Sequence, residues 1–267
     1  SRFPEGVLKL GHLEGSWDSS TKQATGTLAI TGGSVRKTDF GLEATDITAT
    51  VSVEGRRIHV AALNAIAREQ PLVAKGWYDF ETNTGELTAS GVLAGIGNTT
   101  LAQSIRNAEI DGSATVKAAG RFEGGVLTFD GDIDASQTQI GYRWYFLKPP
   151  GIGANAHITG SYTPKKSVKL DVDGTVAGSQ LIATTRMAFT GKKWQLQTAH
   201  AEVPKLDVVS VGKCLPLPYV ITGGTGTGGR YDWTRADGKT GQEWTATLRL
   251  DVDEIAVRAE GADAAIV

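Results

Sequence analysis

From Val168 to Phe189 the chain reads VKLDVDGTVAGSQLIATTRMAF. Val168, Leu170 and Val172 alternate with Lys169, Asp171 and Asp173; after a turn region marked by Gly174 and Gly178, a second run sets Leu181, Ala183, Thr185, Met187 and Phe189 on one side. A two-residue period sends successive side chains to opposite faces of a strand, so each run has one apolar and one wet face. Wound as a helix, the same residues would scatter their apolar groups around the whole circumference. The unit of strand, turn and strand recurs at Gly6–Trp17, at Thr25–Ile30 and Ser34–Arg36 around a Gly32-Gly33 hairpin signal, and at Ile47–Val53 with Ile58–Leu63. It continues through Leu72–Phe80 and Glu86–Leu93, Gly112–Phe122 and Val126–Ala135, Asn155–Tyr162, Trp194–Thr198, Tyr219–Trp233, Trp244–Val252 and Ile255–Arg258. Turns every eight to twelve residues are all-β behaviour.

Two stretches break the rhythm. Asn98–Ala108 places Leu101 and Ile105 four apart behind a Thr cap, which predicts a short helix near 99–108. Leu206–Leu217, stopped by Pro216 and Pro218, reads either as a short helix or as an apolar loop. Thirty-four glycines among 267 residues suit many short turns better than packed helices. No composition shift marks a linker, so residues 1–267 are expected to form one continuous segment. The chain opens on Ser1 and closes on the apolar Ala264–Val267 in mid-pattern, as an internal piece of a longer protein would.

Chemistry is sparse. Net charge is −2 with the signs interspersed, which lacks the basic stripe of a nucleic-acid footprint. Cys214 is the only cysteine, so no internal disulfide can form, and no base stands near it in sequence. Gly224–Gly229 (GTGTGG) spells a dinucleotide fingerprint, but the polar, glycine-punctuated Arg230–Gly241 follows where a helix must open, so a glycine-rich strand is the reading. Asp130, Asp132 and Asp134 resemble the start of a calcium loop, yet Ala135 and Gly141 occupy its required Gly and Glu positions. On a strand these carboxylates form a solvated face opposite Leu127, Phe129 and Ile133. His12, His59, His157 and His200 lie in separate strand-like segments. No catalytic residue, metal site or cofactor is singled out, and the chain is expected not to be an enzyme. The six tryptophans read as strand residues, although Trp144 with Tyr142, Tyr145 and Phe146 would suit an apolar surface.

A sheet with one apolar face must stack as a sandwich, close as a barrel, or curl into a trough around something apolar. Pattern alone favours the packed sandwich, whereas the many small residues on the inner faces leave room for a ligand. Ile133–Tyr162, with Lys148, Pro149, Gly151 and Ala154 in an aromatic-x-K-P-x-G-x-x-A arrangement, resembles the AsmA-like bacterial envelope proteins of the YhdP/TamB type. An extra aromatic cluster, Tyr142–Phe146, departs from the leanest form of that pattern. Leu8–Leu28 is similar to the family's strand openings. The resemblance implies an all-β, twisted antiparallel meander curled into an open groove, with one or two short helices. It further implies that the groove carries phospholipid acyl chains across the periplasm of a Gram-negative cell envelope. The full-length protein would be anchored in the inner membrane and would reach the inner and outer membranes through parts not present here. Alternation nominates Leu170, Val172, Leu181, Met187, Phe189, Leu248, Leu250 and Val252 for the groove face. The rival expectations are a structural or adhesive all-β surface module with a packed sandwich or solenoid core, and, third, a carbohydrate-active sandwich with tryptophan platforms.

Overall fold

The computed structural model describes residues 5–21, 23–37, 42–67, 69–94, 108–190, 193–235 and 244–259. The chain is an all-β antiparallel meander whose first and last described strands each have a single neighbour, so the sheet is open, not closed into a barrel. It divides into two compact units, residues 1–106 with 110–131 and residues 107–109 with 132–267.

The first unit holds β1 (Glu5–Asp18), β2 (Gln23–Lys37), β3 (Leu42–Gly55), β4 (Arg57–Ala67), β5 (Gln70–Asp79), β6 (Thr84–Ala94), nearly all of β7 (Ala108–Glu123) and much of β8 (Val126–Asp134). Each strand pairs with the next in sequence. The second holds β9 (Thr138–Tyr142), β10 (Phe146–Lys148), β11 (Ala154–Thr163), β12 (Ser167–Val176), β13 (Ser179–Thr190), β14 (Lys193–Val203), α1 (Val208–Gly212), β15 (Tyr219–Arg235) and β16 (Trp244–Ala259). Here β11 to β16 pair consecutively; β10 pairs with β9, and β9 pairs also with β7.

Turn chemistry follows the residues. Gly124 and Gly125 take φ of +58° and +80° between β7 and β8, the double left-handed step of a tight hairpin. Asp79 closes the β5–β6 turn by accepting the amides of Glu81 (2.9 Å) and Thr82 (3.2 Å). Those bonds hold its carboxyl below the usual range, with a contribution from Arg57.

Three readings are corrected or completed. Gly32 and Gly33 do not turn the chain; β2 runs straight through them. A Cβ at Gly33 would lie 2.6 Å from the Val7 carbonyl oxygen, so the glycine permits close strand approach instead. Gly174 likewise sits within β12, and the turn is made by Ala177 and Gly178 (φ +49° and +72°). Residues 206–217 contain the short helix α1, capped by Asp207, whose carboxylate accepts the Ser210 amide at 2.9 Å. Of the helix expected near 99–108, residues 99–107 lie outside the described residues and Ala108 opens β7.

Candidate functional site

In an antiparallel sheet, directly opposed residues share a face, so register converts sequence into a surface. In the first unit one row runs Leu13, Leu28, Val51, Val60, Gly76, Leu87, Gly120 across seven strands. The next is Gly15, Gly26, Val53, Ile58, Tyr78, Gly85, Phe122. Neither row contains a charged residue. The reverse face reads Ser16, Thr25, Glu54, Arg57, Asp79, Thr84, Glu123. It carries an Arg57–Asp79 ion pair at 3.2 Å and the Arg57 guanidinium over the Trp77 ring at 4.8 Å. Trp77 is therefore bonded into the outer face, with its Nε1 donating to Glu86 at 3.3 Å.

The apolar rows are not a packed core. The buried apolar residues of the described chain are small or few: alanines, Ile47, Val208, Ile221 and Cys214. Leu87, next to last in its row, stays 53% exposed, while Leu28, Val51 and Val60 are half-buried. The face is also concave. A Cβ at Gly76 would lie 2.3 Å from the Glu86 oxygen, and one at Gly85 2.7 Å from the Trp77 oxygen, so neighbouring strands fold in over the apolar side. Large residues alternate with these glycines and leave a cleft of about 300 Å³ lined by Ile58, Val60, Leu63, Tyr78, Leu87 and Phe122, among others. Its walls come from β4 to β8.

The second unit repeats the arrangement. Ile158, Val172, Ala183, Ala201, Tyr231 and Leu248 form one row, and Gly160, Leu170, Thr185 and Ala199 part of the next. Of the nominated residues, Leu170, Val172, Leu181, Met187 and Phe189 share this face and are half-buried. Register sets Leu248 opposite Tyr231 and Val252 opposite Gly226, while the side chains of Leu248, Leu250 and Val252 lie outside the described residues. The reverse face carries Lys169–Asp171 (2.6 Å), His200–Asp232 (2.6 Å), His200–Glu202 (3.0 Å) and Arg230–Asp232 (2.7 Å). Hydrogen bonds from Arg230 and then His200 hold Asp232 below the ordinary carboxylate range. Asp132 meets His157 at 2.9 Å on the solvated face expected for it. Among the described residues no three His, Cys, Asp or Glu side chains are placed to hold a metal ion.

One end of this second wall is covered. Leu206 packs where a Cβ of Gly226 would point, Val208 and Ile221 are buried, and the Ser179 hydroxyl accepts the Asp207 amide at 2.9 Å. The β9–β10 hairpin joins this cap, its Leu147 amide donating to the Cys214 carbonyl at 2.7 Å. Lys148 secures it. Fully buried, its Nζ donates to the carbonyls of Thr138 (2.7 Å), Ala135 (3.1 Å), Ser136 (3.2 Å) and Pro149 (3.4 Å). Burial pulls the ammonium below the ordinary lysine range, opposed by Cys214 and Asp134, and burial pushes the Cys214 thiol up. Cys214 is thus an inert core residue, unsuited to nucleophilic work.

The alternation nominated residues only in the second unit, and missed the cleft in the first. Its signal was present in Ile58, Val60 and Tyr78–Leu87 but is interrupted by a bulge between Val60 and Leu63, which moves the apolar phase from even to odd positions. The chain matches no family model, and no curated protein or solved structure is significantly similar to it.

Proposed function

We propose that this chain is a segment of an AsmA-like lipid-transfer groove, holding phospholipid acyl chains against its apolar wall in the periplasm while headgroups stay in water. The observation that carries the reading is the unbroken apolar row from β1 to β7, concave and left open by the described residues, backed by an equally unbroken polar row. A wall of Leu, Val, Ile, Phe and Gly, in which the Tyr78 hydroxyl already donates to Asn83, selects for apolar chains and tolerates any length or register along the strands. Each methylene moved from water onto it contributes about 0.8 kcal/mol. Neighbouring rows are alike, so a bound chain slides at little net cost, and direction of transport is imposed from outside the groove. The mechanism is partition, with no bond made or broken. A packed adhesive module would instead bury its large aliphatic side chains, and Leu13 and Leu87 in this row are exposed.

Native mass spectrometry with lipid extraction tests this on protein purified from a bacterial host. Phospholipid should co-purify with the unaltered chain and be lost from Leu87→Asp and Leu170→Asp variants that still fold. A lipid-free protein, or variants with unchanged lipid content, would sink the reading.

A further inference from the structure

The β9–β10 hairpin ends in Arg143, Trp144 and Tyr145, and no packing in the described chain accounts for this tip. Trp144 is 82% exposed, the most exposed large apolar side chain among the described residues, with Tyr145 and Leu147 also exposed beside it. The rings are organised nonetheless. Tyr145 stands edge-on to both Tyr142 (5.6 Å between centroids) and Trp144 (5.7 Å), and the Arg143 guanidinium lies 5.9 Å from the Tyr142 ring. Arg143 adopts φ +52°, the left-handed step that reverses the chain here. Behind the tip, the stalk is held by the buried Lys148 and by the Leu147–Cys214 backbone bond. This is a fixed projection, with its ordering cost met within the fold.

Charge decides what it fits. Arg143 is the one charged residue of the Tyr142–Phe146 tip and it is cationic, while Glu109 stands beside Gly141 at the base of the hairpin. Tyr and Trp each combine an apolar ring with a polar edge, and Arg pairs with phosphate; that combination matches the headgroup layer of a bilayer, where apolar and wet surroundings meet. A protein pocket would need a matched cavity, whereas a bilayer interface accepts the ring cluster as it stands.

We propose that the Tyr142–Phe146 tip is a membrane-contact element, seating Trp144 and Tyr145 in the headgroup region of a bilayer that contains anionic phospholipid. The proposal rests on the tip alone and is separable from the groove. The test is co-sedimentation of the whole chain with vesicles of phosphatidylcholine, with and without phosphatidylglycerol. The unaltered protein should sediment with the vesicles, and more strongly with phosphatidylglycerol present. Trp144→Ser combined with Tyr145→Ser should lower the bound-to-free ratio about tenfold, and Arg143→Gln should abolish the preference for anionic vesicles. Both changes are at solvent-exposed positions, and unchanged circular dichroism melts check that the fold survives. If the unaltered chain binds neither vesicle, the proposal falls and the tip belongs to a protein partner; equal binding by the double variant also overturns it. Leu87→Asp should leave vesicle binding intact while losing co-purified lipid, and the tip variant should do the reverse, so the two readings fail separately.

Discussion

At the scale of single residues, the chain invests its buried polar groups in the cap of the second unit. Lys148 places one ammonium among four carbonyl oxygens, so its buried N–H groups are met by acceptors. Asp207 caps α1 through the Ser210 amide and hydroxyl, and those two bonds, in that order, hold its carboxyl below the usual range. A depressed carboxyl contributes its stability above its unfolded pKa and loses it as pH falls through the folded value. Asp207→Ala should therefore cost about 1 kcal/mol at neutral pH. The gap from the unaltered protein should close as the pH drops below the ordinary Asp value of 3.8, where both lack the carboxylate cap. Urea unfolding at the two pH values checks the sign. The pattern K-P-P-G and the lone Cys214 were visible in the sequence, but their meeting was not. Lys148 and Cys214 stand far apart in the chain, and only folding brings their backbones together.

At the scale of elements, the glycines divide by what surrounds them. A Cβ at Gly76 would lie 2.3 Å from a backbone oxygen of β6, whereas one at Gly153 would meet nothing within 4 Å. Backbone cannot yield as a flexible side chain can, so Gly76→Ala should destabilise by roughly 2 kcal/mol or more. Gly153→Ala should stay within about 0.5 kcal/mol of the unaltered chain. Thermal unfolding of the two variants side by side would show whether the apolar face is as sharply folded as the glycines require. Strand existence was legible almost everywhere, because alternation is a local property of the extended backbone. Glycine's meaning was not. In sequence Gly32-Gly33 and Gly124-Gly125 look alike, yet the first pair lies inside β2 and the second makes a turn. The difference lies in what the partner strand brings close, as Val7 does at Gly33.

At the scale of the whole molecule, ligand and stability are coupled. A lipid that binds the folded wall and not the unfolded chain stabilises by mass action, about 2.7 kcal/mol at a hundredfold excess over Kd. For a chain of this size that is a rise in Tm of several degrees. Adding lysophospholipid below its micelle concentration should raise the Tm of the unaltered protein and leave that of Leu87→Asp unmoved; equal shifts in both would count against the wall as the binding surface. The sequence by itself determined that the chain is all-β, that its strands have one wet and one apolar face, and that Leu170 shares a side with Val172, and Leu181 with Met187 and Phe189. These follow from a period of two, which needs no knowledge of neighbours. Tertiary structure alone decided that the apolar rows join across seven strands of the first unit, that the bulge after Val60 keeps them in phase, that the face is left open, and that Lys148 pins an aromatic hairpin outward. Each of those depends on register and close approach between segments distant in the chain, and no local pattern encodes them.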